Sequence, residues 1–205
     1  MSEQSPLSVK QRGFRYQIWL MLMIIFGVIA SGFILMPKTE QQRQKMIELF
    51  GTTNQGQLVK PAVDLSSLLA DFSLDDKPKW QVIIAGGNGC DQNCEQVLFS
   101  TKQIHMLLGK LTGRVQRLYL PDASQLQVLD LDRLHLEHPY LQVSAIESSQ
   151  LSDLLRNSSA DWDMRDTRYF VVTPDHQAIL YYTATDDAGG LLDDLKHLLK
   201  YSPDR

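Results

Sequence analysis

Cys90 and Cys94 are the only cysteines in the chain, and they lie four positions apart in the stretch Gly86-Gly87-Asn88-Gly89-Cys90-Asp91-Gln92-Asn93-Cys94. On an α-helix, positions four apart are separated by about 6 Å between Cα atoms, within reach of a disulfide. The glycine-rich run before them reads as a loop, and the segment after Asp91 reads as a helix. A thiol at a helix N-terminus meets unpaired backbone N–H groups and the positive end of the dipole, and both stabilise a thiolate. The pair therefore suits thiol–disulfide exchange, a two-thiolate clamp for a soft metal, or both. A purely structural disulfide is the alternative. Two cysteines are too few for a disulfide-rich scaffold or a four-cysteine zinc site.

Other residue types offer less. The glycine run is not followed by Lys-Ser/Thr and does not spell G-x-G-x-x-G, so it is not read as a phosphate loop. His105 lies eleven positions beyond Cys94 on the same expected helix, roughly 16 Å along its axis, too far to share a metal with Cys90. It reads as a surface or partly packed residue. His135 and His138 have an i, i+3 spacing but are followed by Pro139, and they read as loop histidines. His176 falls in an expected turn and His197 on the last expected helix. The run from Asp161 to Asp166, acidic and containing Trp162, reads as a loop flanking the cysteines.

The elements that must position the pair follow from hydrophobic pattern. Trp80 to Ala85 is an apolar run, broken only by Gln81, and reads as a buried strand. Cys94, Val97, Leu98, Thr101, Ile104, Leu108 and Leu111 recur at spacings of three and four, one face of a helix. Arg114–Leu120 and Leu141–Ile146 read as strands, Leu126–Leu136 is ambiguous, and Ser148–Asn157 reads as a helix. Thr167–Val172 and Ala178–Tyr182 make a hairpin, and Asp187–Tyr201 is a final amphipathic helix. Before Trp80, Leu58-Val59 and Ala62 to Leu65 read as two short strands of an extra hairpin, with a helical turn from Ser66 to Phe72. Early strand–helix alternation implies parallel strands, and the late hairpin makes the sheet mixed. The expected fold class is α/β, a thioredoxin-like mixed sheet flanked by helices, with an N-terminal transmembrane helix.

That last element is Tyr16–Met36, 21 residues without a charged side chain. As a helix it spans roughly 30 Å, the thickness of a bilayer core. The apolar run continues past the small residues Ala30-Ser31-Gly32, so it reads as an uncleaved anchor and not as a signal peptide. Lys10, Arg12 and Arg15 precede the span, while Lys38, Arg43 and Lys45 follow it. The short N-terminal tail and the net acidic region after the span favour the N-terminus inside. The expected organisation is a cytoplasmic tail over 1–15, an anchor over 16–36, a juxtamembrane helix or linker over 37–54, and the thioredoxin-like domain over 55–205. The expected place is a bacterial inner membrane, with the domain in the periplasm, where a cysteine pair suits the oxidising environment. The chain carries 20 Lys plus Arg against 24 Asp plus Glu, a formal charge of −4, which excludes a basic nucleic-acid-binding surface as its general character.

An N-terminal anchor, then strands, a buried strand and C-x-x-x-C opening a helix together resemble the Sco family of cytochrome c oxidase assembly proteins, over roughly Gln55 to Tyr201. The resemblance implies a membrane-anchored, thioredoxin-like copper chaperone or thiol reductant. By it, Cys90 and Cys94 are the exchange cysteines and the two thiolate copper ligands, and the partner is a cytochrome c oxidase subunit or assembly factor. Soft thiolates suit Cu(I). The chain departs from the family pattern at several places. Asp91 and Glu95, where the family has prolines, follow the cysteines, and Pro121 to Gln127 lacks the family's acidic segment. The position of the family's histidine copper ligand falls near Arg165, and a guanidinium does not ligate copper. Met164 beside it is the neighbouring soft donor. The competing function is a non-catalytic, membrane-anchored assembly or scaffolding module with a structural disulfide.

Overall fold

A computed structural model of the chain describes residues 7–35, 54–69, 78–86, 90–127 and 129–202. The chain divides into two units, 1–53 and 54–205. In the first, α1 runs over Leu7–Leu35, and every side chain described in it, from 16 to 31, is exposed. Over the residues so described, no helix is long and apolar enough to cross a membrane. The juxtamembrane helix expected between 39 and 50 lies outside the described residues.

The second unit is built on one six-stranded mixed sheet. Its strands are β1 (Gln57–Asp64), β2 (Trp80–Ala85), β3 (Val115–Leu120), β4 (Leu141–Val143), β5 (Arg168–Val172) and β6 (Gln177–Thr183), in the spatial order β1-β6-β5-β2-β3-β4. β2 lies inside the sheet and is buried at every position, its one polar residue, Gln81, included. It pairs in parallel with β3 and antiparallel with β5, with Ile83 opposite Leu118 and Phe170.

Strand alternation sends side chains into two cores. Val82, Ile84, Val115 and Tyr119 face one side, where α3 (Gln92–Leu107) and α6 (Ala188–Tyr201) pack through Cys94, Val97, Leu98, Leu191, Leu195 and Leu199. Each fully buried leucine there contributes about 1.5–3 kcal/mol. Ile83, Ala85, Leu118 and Phe170 face the other side, against α2 (Ser66–Leu69), α5 (Ser148–Leu155) and Trp162. The ambiguous segment resolves into a short helix, α4 (Leu131–Glu137), whose first turn Asp130 caps by accepting from Arg133 N at 3.0 Å.

One expectation is corrected at the start of the sheet. The two short strands are one edge strand, β1, paired with β6 and interrupted by a register shift between Leu58 and Val63. Pro61 has no N–H to give a ladder, so the interruption falls where an edge tolerates it. Ser159 fills the gap: its Oγ accepts from Lys60 N, and its N–H donates to Lys60 O, both at 2.9 Å.

Candidate active site

β2 ends at Ala85, and Asp91 N-caps α3 by accepting from Cys94 N at 2.9 Å. Between these fixed points the chain brings Cys90 against the first turn of α3. Cys90 and Cys94 form a disulfide with a Cα–Cα separation of 5.0 Å. Their environments differ. Cys94 is 0% exposed and belongs to the core between the sheet and α3, whereas Cys90 is only partly buried and packs on that core from its edge. The hydroxyl of Tyr119 lies 3.5 Å from Cys94 Sγ. A disulfide sulfur carries no proton, so the hydroxyl donates. Gly86 gives this hydroxyl its room, because a Cβ there would come within 2.8 Å of it.

Beside the disulfide lies a cavity of about 540 Å³ between α3, the segment after β3, and α4. Cys90 and Tyr119 lie at its wall, Leu98, Phe99 and Leu134 supply apolar surface, and His138 borders it. Arg133 ties its charged lining together, 3.2 Å from Glu95 on α3 and 3.7 Å from Glu137 on its own helix. Lys102 Nζ donates to the Glu137 carbonyl at 2.5 Å. Burial, with the nearby Asp91 charge, pushes the Tyr119 phenol up to about 12, so it stays a protonated donor at neutral pH. Burial and then the charges of Arg117 and Lys102 hold His138 below its ordinary value. Hydrogen bonds from Ser124 and Ser148 hold Asp122 well below the usual carboxylate range.

Among the described residues there is no group of three or more His, Cys, Asp or Glu side chains able to hold a metal. Arg165 is exposed and pairs with Asp163, with Nε 3.4 Å from Oδ2. Met164 packs on the core across the sheet from Cys94, which removes it as a soft ligand to the pair. In the loop from 161 to 166, Asp161, Asp163, Arg165 and Asp166 are exposed, while Trp162 turns inward: it is 1% exposed in that far core, and its indole donates to Asp166 O at 2.9 Å.

Several functional or structural groups escaped the sequence reading. Arg117 is 1% exposed and donates to Leu98 O at 2.8 Å and Thr101 Oγ1 at 3.0 Å; burial lowers it to about 10. The period-two spacing of Val115, Arg117 and Tyr119 was the available signal that all three face α3. His105 is buried, with Nε2 3.0 Å from Val115 O, and is not a surface residue. His138, read as a loop residue, is the buried C-cap of α4. On α6, the buried Asp194 carboxylate gathers Gly56 N at 2.9 Å, Gln55 N at 3.0 Å and the Tyr182 hydroxyl at 2.6 Å.

Comparisons with known proteins agree on the architecture. The family model of a transmembrane-like, thioredoxin-like, C-terminal domain matches residues 80–202. Among solved structures, an apo Sco protein from Thermus thermophilus is similar with a TM-score of 0.52 at 16% identity, covering 72% of this chain and 98% of that one. A copper-bound Sco protein from Arabidopsis thaliana aligns with a TM-score of 0.47 at 17% identity, over 61% of this chain and 87% of that one. A DsbF homologue from Corynebacterium diphtheriae aligns with a TM-score of 0.43 at 15% identity, over 63% and 75%. No curated protein matches. The fold is thioredoxin-like α/β, a mixed six-stranded sheet flanked by helices.

Proposed function

The chain belongs to the family of transmembrane-like, thioredoxin-like C-terminal domains, and from that premise we propose that it is a divergent Sco-like protein that assists cytochrome c oxidase assembly by thiol–disulfide exchange at Cys90 and Cys94. The observation that carries this reading is the asymmetry of the pair: one sulfur at a cavity wall, its partner fully buried at the first turn of α3. In the reduced protein, the Cys90 thiolate attacks a partner disulfide. A Cys90–partner bond forms, and the partner's second sulfur leaves as a thiolate. Cys94, as its thiolate, then attacks Cys90; the bond to the partner breaks, and the partner leaves with two thiols while the Cys90–Cys94 bond forms.

The setting rests on the Sco resemblance and on the uncharged stretch Tyr16–Met36 within and just beyond α1. This stretch would anchor the protein in a bacterial inner membrane, with residues 55–205 on the periplasmic side. Copper delivery needs a further donor that the described residues do not bring to the pair, so exchange is the preferred chemistry.

The buried position of Cys94 also favours a second reading, a scaffold stapled by its disulfide. Magnitude weighs against it. Closing so short a loop contributes about 2 kcal/mol by chain entropy, the low end of what a disulfide typically supplies. A Cys90→Ser, Cys94→Ser double variant separates the two. Exchange predicts a folded protein that no longer supports oxidase activity in the cell. Full oxidase activity with both cysteines gone would remove the thiol mechanism.

A further inference from the structure

We propose that the Tyr119 hydroxyl is the hydrogen-bond donor that receives the charge on Cys94 when the disulfide opens, and so sets how readily the pair exchanges; this rests on the exchange reading above. When an external thiolate attacks the accessible Cys90 sulfur, a sulfur–sulfur bond forms to Cys90. The Cys90–Cys94 bond breaks, and its electron pair leaves on Cys94 Sγ. That thiolate forms in a place water does not reach, since Cys94 is 0% exposed. Exchange rates depend on the stability of the leaving thiolate, so a donor is needed there.

The helix N-terminus does not supply it alone. The N–H of Cys94 is engaged by Asp91 Oδ1 at 2.9 Å, and the N–H of Glu95 by Asp91 O at 3.0 Å. The Asp91 carboxylate is itself negative and disfavours a thiolate nearby. Among the described residues, the Tyr119 hydroxyl is the hydrogen-bond partner of Cys94 Sγ, at 3.5 Å, and the sulfur is the hydroxyl's partner in turn. The placement is built into the strand. Tyr119 is 1% exposed in β3, its backbone is held in parallel register opposite Ile84, and Gly86 leaves the space its oxygen occupies. The raised phenol keeps the proton on oxygen at neutral pH, where donation is required.

The test is the rate at which dithiothreitol opens the disulfide in the full chain at pH 7, with folding checked by circular dichroism. Tyr119→Phe keeps the ring and removes the donor; the rate is expected to fall about tenfold, the loss typical of one hydrogen bond to a developing charge. A fluorinated tyrosine in place of Tyr119 has a more acidic hydroxyl, keeps the shape, and is expected to speed opening. A purely packing role for Tyr119 predicts no acceleration. Wild-type and Tyr119→Phe proteins opening at equal rates, or a fluorinated residue without effect, would overturn the inference while leaving exchange intact. A wild-type disulfide inert to dithiothreitol would overturn both.

Discussion

Replacing Asp91 separates two jobs that one side chain performs. Its Oδ1 accepts from Cys94 N at 2.9 Å and caps α3, and its charge opposes a thiolate formed on the same cysteine. Asp91→Asn keeps a good cap, because Asn and Asp are near-equal there, and removes the charge. The carboxylate is hydrogen-bonded to the backbone N–H of the residue that bears this sulfur, and a separation on the order of 5 Å is the working value for the charge pair. At that separation, repulsion between two unit charges is about 0.8 kcal/mol in water and about 3.3 kcal/mol at an effective dielectric near 20. An intermediate value near 1.4 kcal/mol corresponds to about tenfold in the dithiol–disulfide equilibrium, or about 30 mV, at an alkaline pH where the reduced Cys94 is ionised. The sign follows directly: without the charge, the thiolate is easier to form, reduction is favoured, and the potential becomes less negative. Asp91→Ala removes charge and cap together, so it should shift the potential the same way and also cost about 1 kcal/mol of stability. The assay is equilibration with glutathione redox buffers at that alkaline pH, alongside urea unfolding of the oxidised proteins. If Asp91→Asn leaves the potential where it is in the wild type, or if Asp91→Ala unfolds no more easily than Asp91→Asn, the assignment of these two roles is wrong.

Asp194→Asn keeps the shape of the carboxylate that joins the segment before β1 to β6 and α6, but weakens three hydrogen bonds to a charged acceptor; a loss of about 2–3 kcal/mol in urea unfolding is expected, with no change in the rate of disulfide opening. Acid should destabilise the domain before its carboxylates titrate. His105 and His138 are held below their ordinary values chiefly by burial, so the unfolded chain takes up protons first, from about pH 6.5 downward, and stability that is complete above that pH falls through it. Asp122, also lowered, adds to the loss only nearer pH 4 and below. A urea midpoint that is flat between pH 7.5 and pH 5.5 would show that neither histidine is neutral because of burial.

The parts of the fold that could be read beforehand are those where one physical signal dominates. The apolar run of β2, broken only by Gln81, and the three-and-four spacing on α3 and α6 leave few alternatives, and they place the cysteine pair at a strand-to-helix junction. Where signals compete, reading fails. Pro61 breaks a strand pattern into two because its missing N–H matters in a central strand and is tolerated at an edge, and only pairing with β6 reveals which applies. Trp162 and Met164 sit among Asp and Arg residues that suggest a solvated loop, yet both side chains turn into the far core. Tyr119 and Arg117 were legible as strand residues but not as buried polar groups, since their partners come from α3. The cavity is a product of packing between α3, α4 and the segment after β3, which have no local pattern in common. Tertiary contacts, and not local propensity, decide such features.

Single-cysteine trapping tests the central claim, that Cys90 meets partners and Cys94 resolves. Full-length Cys94→Ser and Cys90→Ser proteins are expressed in cells, free thiols are quenched with acid and alkylating agent, and mixed disulfides are isolated under non-reducing conditions and identified by mass spectrometry. The account predicts covalent adducts of the Cys94→Ser protein with a cytochrome c oxidase subunit or assembly factor, linked through Cys90, and none with the Cys90→Ser protein. Adducts formed by the Cys90→Ser protein instead, or by neither variant, would contradict it.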